Sequence, residues 1–159
     1  MKQALLTLFL LFQLTLWGQN EVVWQAKYDR VNSEILITAT IMPGWHLYSQ
    51  HVDNNVGPVP TSFTFSPSDN YTLKGFMQEP KAIEEYDENF EATLKFFKNE
   101  VIFSQEIEVI NDNVLHGTVN YMICNDSKCL PPVDQKIELK LNSKKDHSTK
   151  KQPNNKNLD

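Results

Sequence analysis

The sequence is poor in cysteine, with only two among its 159 residues. Two cysteines cannot form the dense disulfide framework on which many small secreted domains depend. A chain of this length buries enough apolar surface to fold without such a framework, as one domain. What Cys124 and Cys129 do is therefore a separate question from how the chain folds.

The sequence also lacks an apolar run of the ~20 residues that a membrane-spanning helix needs. Its apolar stretch at residues 4–16 follows Lys2 and is interrupted by polar residues. A basic start followed by a short apolar stretch predicts a secretory signal peptide over residues 1–18. We therefore expect export, with no stable membrane insertion after cleavage. The alternative is that these residues stay attached as an N-terminal anchor.

Positive charge is scarce outside the C-terminal segment. Residues 143–159 carry five lysines among polar residues, which predicts a disordered basic tail. Setting aside this tail and Lys2 removes six of the 15 basic and two of the 20 acidic residues, which leaves a net charge of −9. A body this acidic repels phosphate groups, so we expect no nucleic acid among its partners.

Between residues 21 and 141 the dominant pattern is an alternation of apolar and polar side chains, which is typical of half-buried strands. Strands are predicted at 22–28, 35–41, 62–65, 71–76, 92–97, 101–109, 117–123 and 133–141. Turn-forming residues such as Pro43-Gly44 and Pro131-Pro132 separate these runs. Seven to nine strands at this spacing predict an all-β, immunoglobulin-like β-sandwich over residues 19–142.

Residues 82–98 are ambiguous, because their apolar residues also fit helical spacing. The turn-forming run Asp87-Glu88-Asn89 lies in the middle and favours a loop followed by a strand. Seven aromatic residues of the body are predicted to lie in the sandwich core: Trp24, Trp45, Phe63, Phe65, Phe96, Phe97 and Phe103.

The two cysteines are separated by four polar, turn-forming residues, so the chain can fold back and bring both sulfurs together at the tip of a hairpin. A pair at a hairpin tip is exposed enough for another thiol to reach. A structural disulfide would close a loop of about six residues, worth roughly 2 kcal/mol. Spacing alone therefore leaves a redox pair and a structural clip open. Zinc is a weaker option, since the four histidines show no paired spacing.

Three blocks of sequence carry a resemblance to a known family. They are Cys124-x4-Cys129-Leu130-Pro131-Pro132, Gly44-Trp45-His46-Leu47-Tyr48-Ser49 and Tyr86-Asp87-Glu88-Asn89-Phe90. In this order and spacing, behind a signal peptide, they resemble the periplasmic N-terminal domain of the thiol:disulfide interchange protein DsbD. The resemblance covers about residues 20–141. It implies an immunoglobulin-like sandwich with an active-site hairpin and a cap loop.

The resemblance also implies a role for each matching residue. Cys129 would be the nucleophile that forms mixed disulfides with partners, and Cys124 would resolve them. Phe90 would shield the pair from the cap loop. The remaining matches form an aromatic and acidic surround: Tyr48, His46, Asp87 and Glu88.

The implied activity is that of a periplasmic thiol–disulfide oxidoreductase whose only redox group is the Cys124–Cys129 disulfide, with no further cofactor or metal. Expected partners are a membrane electron donor of DsbD type and thioredoxin-like envelope proteins, in disulfide-isomerase or cytochrome c maturation pathways. Two departures stand out: family members have five residues between the cysteines, and they continue into a membrane domain where this chain has a polar tail. The alternative function is a non-catalytic immunoglobulin-like binding module with a structural disulfide.

Overall fold

The computed structural model describes residues 21–53, 55 and 57–142. The predicted signal peptide at 1–18 and the predicted tail at 143–159 lie outside the described residues. Among the described residues, no helix is long and apolar enough to cross a lipid bilayer.

The described chain consists of β-strands joined by turns and loops. The strands are β1 (Val22–Asp29), β2 (Glu34–Ile41), β3 (Trp45–Tyr48), β4 (Ser62–Phe65), β5 (Tyr71–Gln78), β6 (Ile83–Asp87), β7 (Ala92–Phe97), β8 (Glu100–Val109), β9 (Asn113–Tyr121), β10 (Ile123–Asn125), β11 (Lys128–Cys129) and β12 (Val133–Leu141). They form three sheets with the orders β1-β2-β8-β5, β11-β10-β3-β7-β6 and β12-β9-β4. The predicted all-β sandwich is confirmed. The strands outnumber the predicted seven to nine because β3, β6, β10 and β11 are short.

The predicted loop before β7 is wrong at residues 83–87, which form strand β6. This strand pairs antiparallel with β7, from Ile83 opposite Phe96 to Asp87 opposite Ala92. It lies at the edge of its sheet and four of its five residues are exposed, so its sequence shows no apolar alternation. The turn expected at Asp87-Glu88-Asn89 is present and occupies residues 88–91. The helical alternative is excluded.

The main core follows the predicted alternation. Ile35, Ile37 and Phe103 are fully buried on β2 and β8, as the period of two requires. Of the seven aromatic residues predicted for the core, Phe97 and Phe103 are buried in it. Trp24, Trp45, Phe63 and Phe65 are partly buried against it. Phe96 is also buried, but in a second, smaller cluster, so its assignment to the sandwich core was wrong.

The sheet β11-β10-β3-β7-β6 separates the main core from this second cluster. Consecutive residues of a strand point to opposite faces of the sheet, so one strand contributes to both. The residues that contribute to the main core are Leu47, Phe97 and Ile123. The residues that contribute to the second cluster are Tyr48, Leu94, Phe96 and Cys124, with Phe90, Met122 and Cys129 packed against them. One face of this sheet thus borders the main core, and its other face carries the cysteine site.

Candidate active site

Cys124 on β10 and Cys129 on β11 form a disulfide at the expected hairpin. The two residues lie directly opposite each other in the antiparallel pairing, with their Cα atoms 4.0 Å apart. The side chain of Asn125 closes the turn, because its Oδ1 accepts hydrogen bonds from the N–H groups of Ser127 and Lys128, each at 2.9 Å. The polar turn residues between the cysteines therefore make the hairpin possible.

The two sulfur-bearing residues differ in exposure. Cys124 is fully buried, with 0% of its surface exposed, whereas Cys129 is only partly buried. The expectation of an exposed pair is therefore wrong for Cys124. Its backbone lies on an inner strand, between β11 and β3, while Cys129 is on the edge strand β11. A second thiol can approach the pair only from the side of Cys129.

Phe90 lies on the cap loop, which we define as the turn residues 88–91 between β6 and β7. Its ring packs against the second hydrophobic cluster, which contains Cys124 and is called the cysteine cluster below. It meets the ring of Tyr48 edge-to-face, with centroids 5.8 Å apart. The ring also lies against Gly57, where a Cβ would overlap it. The φ of Gly57 is +137°, which also favours glycine. The position of Phe90 thus depends on a glycine from a separate loop.

The cap loop is also bonded to the cysteine hairpin. The side-chain amide of Asn89 donates a hydrogen bond to the backbone carbonyl of Asn125, at 2.9 Å. Sequence reasoning missed this contact and the contact of Phe90 with Gly57. Asn89 and Gly57 both occur in turn-forming runs, where asparagine and glycine are expected for local reasons.

Asp87 joins three elements through its carboxylate. Its Oδ2 accepts a hydrogen bond from the Tyr48 hydroxyl at 2.6 Å and lies 3.1 Å from Nε2 of His46. Its Oδ1 accepts the backbone N–H of Asn89 at 2.8 Å and so shapes the cap loop. The single proton of the Tyr48 hydroxyl is used in its hydrogen bond to Asp87. Nε2 of His46 must therefore carry a proton of its own to bond the same oxygen.

Burial and hydrogen bonding set the charges of this network. Burial pushes the pKa of Asp87 upward, but the hydrogen bonds from Tyr48, Asn89 and His46 outweigh it and hold that pKa below its ordinary value. Burial lowers the pKa of His46, although the charge of Asp87 opposes this. Burial raises the pKa of Tyr48, and the bond to Asp87 adds to the effect. At neutral pH the network therefore holds one carboxylate, a neutral imidazole and a neutral phenol.

An open pocket of about 330 Å³ lies beside the cap loop. Glu88, which is exposed, contributes to its lining together with Asp126 and the exposed pair of Glu85 and Lys98. The structure thus brings six of the predicted site residues into one contiguous region and places Glu88 at its rim. Within residues 21–53, 55 and 57–142, no group of three or more His, Cys, Asp or Glu side chains is arranged to hold a metal ion.

Comparison with known proteins agrees with this geometry. The family described as "Thiol:disulfide interchange protein DsbD, N-terminal" matches residues 16–141. The chain belongs to this DsbD N-terminal family. A search among curated proteins finds no match. Family membership and the disulfide together support thiol–disulfide exchange as the general chemistry of the domain.

Solved structures of the DsbD N-terminal type share the fold. The reduced DsbD N-terminal domain of Neisseria meningitidis is 18% identical, with a TM-score of 0.58, over 77% of this chain and 87% of that one. The same bacterium's complex of the DsbD and PilB N-terminal domains matches at 17% identity and a TM-score of 0.54, over 74% and 80% of the two chains. The N-terminal periplasmic domain of ScsB from Proteus mirabilis matches at 20% identity and 0.56, over 79% and 49%.

Proposed function

We propose that this domain relays reducing equivalents to oxidised proteins of the bacterial envelope through the Cys124–Cys129 pair. The observation that carries the proposal is the unequal burial of the disulfide under a cap. A nucleophile that meets other proteins must be reachable, and Cys129 is the partly exposed residue. A resolving thiol needs to reach only its neighbour, and Cys124 is fully buried beside it.

The exchange proceeds in two steps when the pair starts reduced. The Cys129 thiolate attacks a disulfide of the partner, forms a mixed disulfide with one sulfur and releases the other as a thiolate. The Cys124 sulfur then attacks the Cys129 sulfur, which restores the internal disulfide and releases the second partner thiol. Two electrons pass to the partner, and both protons of the cysteine thiols end on the partner's thiols.

Phe90 acts as an apolar lid in this proposal. Its ring packs against the cysteine cluster, and Asn89 ties the cap loop to the hairpin. A closed cap keeps small oxidants and unrelated thiols away from the reduced pair. A docking partner displaces the cap, which breaks the bond between Asn89 and Asn125 and exposes Cys129.

The partners we propose are thioredoxin-like envelope proteins as acceptors, in disulfide-isomerase or cytochrome c maturation pathways, and a membrane protein of DsbD type as donor. The proposed location is the periplasm. Two comparisons support this assignment: the DsbD N-terminal domain of Neisseria meningitidis forms a complex with the PilB N-terminal domain, and the similar ScsB domain is periplasmic.

The rival function, a binding module with a structural disulfide, has less support. Cys124 and Cys129 already lie opposite each other in the strand pairing, and they are five positions apart in sequence. Closing so short a loop stabilises a fold by only about 2 kcal/mol. The disulfide would therefore add little to a domain that has its own core.

Trapping of a mixed disulfide tests the proposal. The Cys124→Ala variant retains Cys129 and should capture an oxidised thioredoxin-like domain as a covalent complex that a reductant dissolves. The matched Cys129→Ala variant retains the buried Cys124 and should capture little. A pair that stays oxidised in glutathione, with a potential below about −300 mV, would support a structural clip. Failure of Cys124→Ala to trap a partner under the same conditions would reject the relay.

A further inference from the structure

We infer that His46 is the base that removes the proton of the Cys124 thiol when Cys124 resolves a mixed disulfide, and that Asp87 orients it. The inference rests on the proposed exchange function and assigns one further catalytic residue to it. Its basis is the line of side chains from Asp87 through His46 to Cys124 on one face of a sheet.

The strand register places His46 beside Cys124. The residues directly opposite Cys124 on its two neighbouring strands are Cys129 on β11 and His46 on β3. Directly opposite residues of an antiparallel pair share a face, with Cβ atoms roughly 4.5–5.5 Å apart. The two side chains are therefore cross-strand neighbours on one face of the sheet.

The hydrogen bonds of His46 decide which ring nitrogen is free. Nε2 lies 3.1 Å from both the Asp87 carboxylate oxygen and the Tyr48 hydroxyl oxygen. Because the Tyr48 hydroxyl donates its proton in the bond to Asp87, Nε2 needs a proton of its own to bond either oxygen. Nδ1 therefore has a lone pair and is the basic atom of the ring. His46 is only 6% exposed, and its ring lies 4.6 Å from the ring of Phe96, centroid to centroid, so its position is restrained.

Cys124 needs such a base because its surroundings are apolar. The thiolate is the attacking species, and burial in apolar surroundings disfavours it. The charged groups around His46 are Asp87 from β6, Lys98 beyond β7 and Asp126 in the hairpin turn. The ammonium group of Lys128 lies over the ring of Trp45, 5.6 Å from its centroid.

The step is balanced in atoms and electrons. The Cys124 thiol gives its proton to Nδ1 of His46, and the carboxylate of Asp87 stabilises the imidazolium that forms. The Cys124 thiolate attacks Cys129, the Cys124–Cys129 bond forms, and the bond from Cys129 to the partner breaks. The partner leaves as a thiolate and takes the proton from the imidazolium, so His46 returns to its starting state.

Two-phase kinetics test the inference. The reductant is removed from the reduced domain, which is then mixed with an excess of the aromatic disulfide dithiobis(nitrobenzoate). The thiolate that this reagent releases is coloured. The first phase is the attack of Cys129, and the second is the resolution by Cys124. In the His46→Phe variant at pH 7, the ratio of the second-phase rate to the first-phase rate should fall by roughly 100-fold, at the low end of general base catalysis. The difference should narrow as the pH rises past the ordinary thiol pKa of about 8.5, because hydroxide then removes the proton without help from His46.

Two further variants keep the outcome decisive. His46→Gln retains an amide that can donate to Asp87 but has no basic nitrogen, so its second phase should also be slow. His116→Gln, an exposed histidine on β9, should match the wild type in both phases. An unchanged second phase and pH profile in both His46 variants would overturn the inference alone. Absence of the first phase in the wild-type domain would overturn the proposed function as well.

Discussion

The side-chain amide of Asn89 donates a hydrogen bond to the backbone carbonyl of Asn125, and so joins the cap loop directly to the cysteine hairpin. Asn125 follows Cys124 in sequence, and its own side chain closes the hairpin turn. The cap therefore cannot leave the cysteines without breaking this bond. In the proposed exchange, this bond is one of the contacts that keep the cap over Cys129.

Removing this contact should open the cap. A net hydrogen bond contributes about 1 kcal/mol, which corresponds to roughly a fivefold change in an equilibrium. We expect Asn89→Ala to raise the rate at which iodoacetamide alkylates reduced Cys129 by about that factor. Asn32→Ala is the control, since it removes a side-chain bond to Asp29 in the turn between β1 and β2. Equal rates in Asn89→Ala and the wild type would mean that the contact does not hold the cap.

Removing the lid itself should have a larger effect. Phe90→Ala deletes the ring that packs on the cysteine cluster, so alkylation of reduced Cys129 should be faster than in Asn89→Ala. Because Phe90 is only partly buried, the free energy of unfolding should fall by about 1–3 kcal/mol, less than for a core phenylalanine. Phe90→Leu keeps an apolar side chain, so its alkylation rate should lie between those of the wild type and Phe90→Ala. If the wild type, Phe90→Ala and Phe90→Leu are alkylated at the same rate, Phe90 does not shield Cys129.

The contact between Gly57 and the ring of Phe90 gives a third prediction. Gly57 and Gly75 both have positive φ, so an alanine at either position strains the backbone by roughly 1 kcal/mol. A Cβ at Gly57 would also overlap the ring of Phe90, whereas a Cβ at Gly75 meets no described atom within 4 Å. Both variants should lower the urea midpoint, but only Gly57→Ala should speed the alkylation of Cys129. Equal alkylation rates in the two variants would mean that Gly57 does not help to position the ring of Phe90.

The buried carboxylate of Asp87 predicts a loss of stability in acid. Its pKa in the folded chain is below the ordinary value, mainly because the bonds from Tyr48, Asn89 and His46 overcome burial. Its contribution is thus fully present above about pH 4 and is lost as the pH falls through the lower pKa of the folded state. Urea unfolding at pH 5 and pH 2.5 should show a smaller loss in Asp87→Asn than in the wild type.

The buried histidine predicts a second window of pH. Burial lowers the pKa of His46, so the unfolded chain takes up a proton at about pH 6.5 while the folded chain resists it. The free energy of unfolding should therefore fall as the pH drops from 7 to 5, and His46→Phe should reduce this fall. A pH dependence in this range that His46→Phe leaves unchanged would place its source elsewhere.

Much of the fold and part of the site can be predicted from the sequence. The alternation of apolar and polar residues in β2 and β8 predicts strands and their buried faces, and the polar run between Cys124 and Cys129 predicts a hairpin. Strand β6 could not be predicted, because an exposed edge strand needs no apolar face. The burial of Cys124 was also missed, since it depends on β10 lying between β11 and β3.

The sequence by itself determined the class of the fold, the hairpin that pairs the cysteines and the short blocks by which the family is recognised. All of these depend on residues that are close together along the chain. The tertiary structure decided which residues meet. His46 bonds Asp87 from 41 positions away, Asn89 bonds Asn125 from 36 positions away, and Gly57 seats Phe90. Such contacts follow from strand order and register, which local patterns do not specify.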